Sequence, residues 1–403
     1  MSEVHAEKRF RLRENAAAPS ADTSERTNQH ILEITSRSQA SRVIQVDFAE
    51  KFMKIPAEYF RVWLAKHLTL APARRFADTG ITPAEDSSGH VERCPCSTPE
   101  DPAWLDSTGA HAAACLSAKS IRKEGHTGLR HVVRTFCEKA AMVCQNEPSA
   151  RYLIPSESPD VLDRLFAKNP TRATKAHDVA VKALLASVQV AMAAGNRTKA
   201  TDLLNQCHTL AMTKPAGQDG HTLVLDLECK APNGEHVVID FSTFESTCAS
   251  YRTSQLAWQR NLQQIERAAH DGGLLPPAGS KLPSKAMTGR VVHKHDKYSP
   301  LLTLMNVVHL QRRGAKPPKM VAAVANHSGE LAPDFIHLIE WMTKHYRRYV
   351  TFGSAGYNGL PPARRAAAYR TSLKNAIQVR IAMSGAALMA GAGTCIGALS
   401  AAG

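Results

Sequence analysis

Leu225 to Ser250 reads LDLECKAPNGEHVVIDFSTFESTCAS, and this stretch decides the fold. His221 to Cys229 is rich in β-branched and aliphatic residues, Pro232-Asn233-Gly234 is a turn, and His236 to Phe244 is a second strand, so a β-hairpin is expected. Val237-Val238-Ile239 is uninterrupted and apolar, the pattern of a strand covered on both faces. Carboxylates stand at Asp226, Glu228 and Asp240. A buried unpaired charge is costly, so a core strand that runs into Asp240 is informative. Either Asp240 closes the strand as a solvated end or helix cap, or it is held there for chemistry. Two aspartates on adjacent buried strands form a cradle for a hard cation such as Mg²⁺.

Around the hairpin, composition sets the frame. The chain has 403 residues, enough for two or three domains, and is 43% hydrophobic, so most of it is expected to fold. Lys and Arg outnumber Asp and Glu, 50 to 36, for a net charge of +14. The surplus is local, with 17 Lys and Arg against 4 Asp and Glu between Lys281 and Arg380. A basic block of this kind is either a solvated face or a surface for a polyanion, with nucleic acid the default partner. The opening MSEVHAEKRFRLRENAAAPS is charged and lacks a secretory core, and nine Cys in so long a chain argue against a disulfide framework. Residues 381–403 are uncharged but mostly Ala, Gly and Ser, which suits a buried small-residue helix or loose tail better than a membrane anchor. No G-x-S-x-G, Walker loop or H-E-x-x-H is present, so a hydrolase of another class has little support.

In chain order, residues 1–42 are expected to be a disordered polar tail. Residues 43–92 form a helical lead-in, with Phe60, Trp63, Leu64 and Leu68 at helical spacing, and a loop. Residues 93–119 hold Cys94, Cys96, His111 and Cys115, ligand types for tetrahedral Zn²⁺. Ser120 to Val143 is an amphipathic helix burying Leu129, Val132, Val133, Phe136, Ala140 and Met142 or Val143, with His126, Arg130 and His131 on its basic leading part. Asn146-Glu147-Pro148 is an exit loop and Arg151 to Ile154 a short strand. Residues 156–213 read as a helical insertion (Asp160–Ala167, Thr174–Ala194, Lys199–Met212). Beyond the hairpin, Thr253 to Gly272 is a helix. The run His293-Lys-His-Asp-Lys-Tyr298 is either a solvated basic loop or a source of lysine, Lys294 or Lys297, for the metal cradle. Lys319 to Ala325 is a buried strand, Pro333 to Tyr349 a helix, residues 350–362 a Gly-rich loop, and Arg364 to Met389 a long helix. The expected fold class is α/β, a small mixed central sheet flanked by helices over residues 120–380.

The order of these features resembles the restriction-endonuclease-like domain at the C-terminus of site-specific non-LTR retrotransposon proteins, a variant of the PD-(D/E)XK nucleases. The resemblance covers residues 60–400 and rests on C-x-C then H-x3-C, a basic helix with His126, a hairpin with two Asp, and K-x3-Y. It implies a CCHC zinc knuckle at Cys94, Cys96, His111 and Cys115. It implies a Mg²⁺-dependent DNA endonuclease whose catalytic residues are Asp226, Asp240, Lys294 and Tyr298, with the two aspartates as metal ligands. It also implies nucleic-acid contacts by His126, Arg130, Arg312, Arg313, Arg347 and Arg348, a nuclear DNA target with element RNA as a further partner, and no membrane. Leu225 stands where the family has Pro, Gly125 where it has a basic residue, and Ser242 where other PD-(D/E)XK nucleases carry their lysine. A reverse transcriptase would be supplied from elsewhere, since no Tyr/Phe-x-Asp-Asp signature occurs. The alternative is a catalytically inactive zinc and nucleic-acid-binding protein, or a retroelement relic with the same fold.

Overall fold

The structure, a computed structural model, describes residues 119–155, 159–166, 175–213, 223–245, 284–311, 318–349 and 361–400, the strands at 90–93 and 104–106, and positions 55, 59–60, 62–64, 96, 115, 157 and 264. The expected polar tail at 1–42, the helix at Thr253–Gly272 apart from position 264, Cys94, His111, Arg312, Arg313 and most of the Gly-rich loop lie outside these residues.

The described chain is mixed α/β and mostly helical, with one open four-stranded mixed sheet. Two short strands precede it, β1 (His90–Arg93) and β2 (Trp104–Asp106), paired antiparallel. Helix α1 (Lys119–Lys139) follows, its Leu129, Val132, Val133 and Phe136 buried at three- and four-residue spacing. The expected helix ran on to Val143. Instead Ala141 takes a left-handed φ of 61° and the Met142 amide turns back to the Cys137 carbonyl at 3.1 Å, a helix stop of the Schellman type. Val143 opens strand β3 (Val143–Asn146) and is 73% exposed.

Arg151 to Ile154, expected as a strand, is the helical turn α2 (Ala150–Leu153). Ser149 caps it, its Oγ accepting from the Tyr152 amide at 3.3 Å, so a local side-chain acceptor outweighs the β-like composition. The insertion forms helices α3 (Pro159–Leu165), α4 (Lys175–Ala193) and α5 (Arg197–Thr213), and Gly195 ends α4 with a φ of 73°.

The hairpin is present as β4 (Leu227–Lys230) and β5 (His236–Phe244). Gly234 supplies the left-handed turn, with a φ of 77°. β4 starts six residues later than the expected His221, because Val224 contributes only an isolated bridge to Ser149. Helix α6 (Lys285–Gln311) crosses to β6 (Lys319–Asn326), which pairs parallel with β5, and α7 (Pro333–Tyr349) and α8 (Pro362–Ser400) complete the fold. The sheet order is β3-β4-β5-β6. The C-terminal end of β6 is answered by its own return, with Leu331 bridging Ala325 and the Ala332 amide donating to Val324.

Alternation along the strands divides the core. Leu227, Cys229, Val237, Ile239 and Phe241 pack against α1, α7 and α8 through residues such as Phe136, Phe335 and Tyr369. Val238 and Leu225 face the other way, onto Tyr298, Leu301 and Met305 of α6 and Leu185 of α4. Both faces of β5 are therefore dry, as the Val237–Ile239 run requires. At Gly125 helix α1 lies so close to α8 that a Cβ would run into the Ser384 side chain, which explains glycine at that position. Residues 381–389 continue α8 and are largely buried, the small-residue helix alternative. No helix among the described residues is long and apolar enough to cross a membrane.

Two carboxylates lock the edges of this core. Glu235, in the hairpin turn, accepts from Trp341 Nε1 at 2.6 Å and lies 3.0 Å from His345 Nε2 on α7; the Trp341 hydrogen bond first, then His345 and Asn233, hold its carboxyl down to about 2. Glu330 accepts from the Ser284 amide at the start of α6 and from Asn326 Nδ2, and burial pushes its carboxyl up to about 7 against the pull of that amide. The folded chain thus binds this proton more tightly than the unfolded chain. The resulting stability is full below the ordinary value of 4.5 and is lost as pH rises through about 7. Glu330→Gln, which cannot ionise, is expected to flatten the fall in Tm over this window, read by thermal melts in steps of about half a pH unit. An unchanged profile would contradict that assignment.

Candidate metal and phosphoryl-transfer site

The β4–β5 register pairs Leu227 with Ile239, and continued by one residue it sets Asp226 opposite Asp240. β5 extends past the start of β4, so the Phe241 amide lacks a backbone acceptor on β4. Asp226 supplies one: its Oδ2 accepts from Phe241 N at 2.6 Å, while its own amide donates to the Ile239 carbonyl at 3.1 Å. The same Oδ2 lies 3.0 Å from Nε2 of His126, which projects from α1 and meets the Phe241 ring edge-on. Burial works against charge on His126, but the hydrogen bond and charge of Asp226, with Asp240 behind it, raise its pKa above the ordinary 6.5.

Asp240 is 4% exposed and faces α6. Its Oδ1 accepts the Tyr298 hydroxyl proton, and its Oδ2 meets the Lys294 ammonium. Lys294 and Tyr298 are four apart on one helix, so a single face of α6 delivers both. The run His293–Tyr298 is therefore helix and not loop. Ser284 starts that helix, its Oγ accepting from the Met287 amide at 3.2 Å, and Pro300 lies within it. Burial, then the charge of Asp240, raises the Tyr298 pKa, so the hydroxyl stays protonated and donating. Lys297 Nζ donates to the same hydroxyl at 3.0 Å and sits over its ring. Lys294, rather than Lys297, thus reaches the carboxylate. One turn earlier, Arg290 donates to Ser242 on β5 at 3.3 Å and covers the Phe244 ring. Arg290, Lys294 and Tyr298 form a stripe along the far half of β5, and Ser242 is bonded to Arg290 from α6.

The donor set fits a hard divalent cation. The register sets two aspartates on adjacent strands opposite one another at the open end of the hairpin, and hard cations take oxygen ligands. Asp240 Oδ2 is buried against the Lys294 ammonium, a neighbour that a bound cation would displace toward a bound water. Glu228, also buried, is matched elsewhere, 2.7 Å from His236 Nε2 and 3.0 Å from Lys230 Nζ.

The remaining expected site residues are dispersed. Arg130 pairs with Glu147 at 2.5 Å, close to the His126 end of α1. Arg347 and Arg348 are exposed at the end of α7. Other basic residues of the C-terminal region are engaged within the chain: Arg365 is buried, and Arg370 and Lys374 pair with Glu340. Cys96 and Cys115 both pack against a small cluster of Val62, Trp63, Ala386 and Met389, away from the sheet. Cys137, Cys144 and Cys229, which sequence reasoning did not single out, place their sulfurs within 4.8 Å of one another, close enough to hold one metal ion. Searches against family models, curated proteins and solved structures found no match.

Proposed function

We propose that this chain is a Mg²⁺-dependent DNA endonuclease of retroelement origin that nicks one strand at a time. The observation that supports the reading is that Asp240 meets Lys294 and Tyr298 from α6, while Asp226, beside it on the next strand, meets His126 of α1 and the Phe241 amide. Asp226 and Asp240 would hold the ion. When bound, Mg²⁺ polarises a phosphoryl oxygen and lowers the pKa of a coordinated water. Tyr298 keeps Asp240 Oδ1 fixed, and His126 with the Phe241 amide fixes Asp226, so the carboxylates are pre-oriented. Lys294 orients the attacking water and offsets negative charge growing on the phosphorane. The water oxygen bonds to phosphorus as the P–O3′ bond breaks. The departing 3′ oxygen gains a proton, leaving a 3′-hydroxyl and a 5′-phosphate. In a retroelement that hydroxyl primes reverse transcription, with the polymerase supplied elsewhere.

Cys94, Cys96, His111 and Cys115 would hold Zn²⁺ in a knuckle beside the lead-in helix, a reading supported by the common packing of Cys96 and Cys115. The exposed Arg347 and Arg348, with Arg312 and Arg313, would lie along the DNA backbone; the local excess of basic residues supports this. Replacing Arg347 and Arg348 together by Ala is expected to reduce the slope of log affinity against log salt by roughly 2, one phosphate contact each, in fluorescence-anisotropy titrations with duplex DNA. An unchanged slope would remove these two residues from the interface.

The direct test is nicking of supercoiled plasmid by the full chain at low salt with Mg²⁺. Relaxation that EDTA stops is the expected result. DNA binding without relaxation would instead favour the inactive zinc and nucleic-acid-binding protein, and neither activity would favour the relic.

A further inference from the structure

On the sheet face opposite Asp240, the end of α1 and strands β3 and β4 bring three thiols together. Cys144 and Cys229 are register partners, with sulfurs 3.5 Å apart. Cys137, four residues from the stop of α1, puts its sulfur 3.6 Å from that of Cys229. Cys137 and Cys229 are buried and Cys144 is half-buried at the sheet edge. All three are free thiols.

We propose that Cys137, Cys144 and Cys229 form a three-thiolate site for a thiophilic divalent cation, with Zn²⁺ as its natural class. Zinc–sulfur bonds of about 2.3 Å at tetrahedral angles set neighbouring sulfurs about 3.8 Å apart. The separations of 3.5 and 3.6 Å fall within about 0.3 Å of that edge. Thiols are poor hydrogen-bond donors, so three of them in contact satisfy one another weakly, whereas three thiolates around a cation are fully matched. The half-buried side of Cys144 leaves the fourth position to water. A cation there would tie α1 to β3 and β4, steadying the helix that carries His126. The site is independent of the nuclease reading, because none of its residues touches the carboxylates.

Cobalt(II) is the probe, since thiolate ligands give it a near-ultraviolet charge-transfer band that grows with their number. The full-length reduced chain is titrated in a Cys96→Ser/Cys115→Ser background, which removes two ligands of the proposed knuckle. The expected result is about one equivalent bound, with a three-thiolate band that Zn²⁺ displaces. Adding Cys144→Ser is expected to weaken binding by at least about 100-fold, beyond what second-shell changes cost. Should that variant fail to fold, alkylation of Cys144 in the unmutated chain decides the matter. Zn²⁺ is expected to slow it at least about tenfold, because only the free thiolate reacts. The proposal is overturned by absence of the band in the double-serine background, by a band that Cys144→Ser leaves unmoved, or by alkylation that Zn²⁺ does not slow. A Cys144–Cys229 disulfide in chain purified under reductant would overturn it as well.

Discussion

Asp240→Asn is expected to abolish Mg²⁺-dependent nicking while leaving the chain folded. Asparagine keeps the shape and can still accept the Tyr298 hydroxyl proton, but it removes the charge that a divalent cation needs. Metal coordination contributes several kcal/mol of transition-state stabilisation, so the loss in rate is on the order of 10³-fold or more. Stability should move the other way. Asp240 is a carboxylate in an almost dry site, with Tyr298 and Lys294 as its polar neighbours. Neutralising it removes a desolvation cost, although it leaves the Lys294 ammonium without its counter-charge. Lys294 is 19% exposed and can turn toward water. A Tm equal to or above that of the unmodified chain, together with lost nicking, is the expected pair of results. Retained nicking would end the proposed role of Asp240, and unfolding would mark the pair with Lys294 as structural instead.

Phe241→Ala is expected to carry the largest stability loss of any single change at the site, about 3–5 kcal/mol, typical of truncating a buried phenylalanine. The ring is 2% exposed and wedged between His126 of α1 and Phe335 of α7, meeting each edge-on. Its removal opens a cavity directly behind the Asp226–His126 contact. Chemical denaturation should show a lower midpoint with an unchanged m-value, since the surface exposed on unfolding is nearly the same. Where enough protein stays folded to assay, weaker Mg²⁺ dependence should accompany it, because Asp226 bonds to the Phe241 amide. A loss below about 1 kcal/mol would mean that α1 and α7 close over the gap.

These two residues also show how far the sequence could be read. β5 matched its expected bounds of His236 to Phe244, because its apolar run and the Pro-Asn-Gly turn are local signals. The buried face of α1 was legible for the same reason. Local signals misled where a neighbour competed: the Ser149 cap turned an expected strand into α2, and the left-handed Ala141 ended α1 early. In the site, His293 to Tyr298 is expected as a basic loop or a source of lysine, whereas it is helix, so that the K-x3-Y spacing puts Lys294 and Tyr298 on one face. His126 was read for phosphate, yet its partner lies 100 residues away, on Asp226. The three clustered cysteines could not be found by spacing at all. Only the pairing of β3 with β4 puts Cys144 beside Cys229, 85 residues on. Charge was the least transferable signal, because Arg370 and Lys374 meet Glu340 from the next helix.

The open sheet has a bearing on how the protein behaves in a crowded solution. An unclosed sheet offers two rims of unpaired amides and carbonyls, and such rims can recruit strands from other copies into aggregates. Here one rim is β3, four residues long and too short to template much. The other is β6, and over its last residues the chain's own return at Leu331 and Ala332 occupies the vacant bonding positions. Deleting that return, rather than altering any residue of the carboxylate site, is therefore the change most apt to make copies of the chain associate edge to edge.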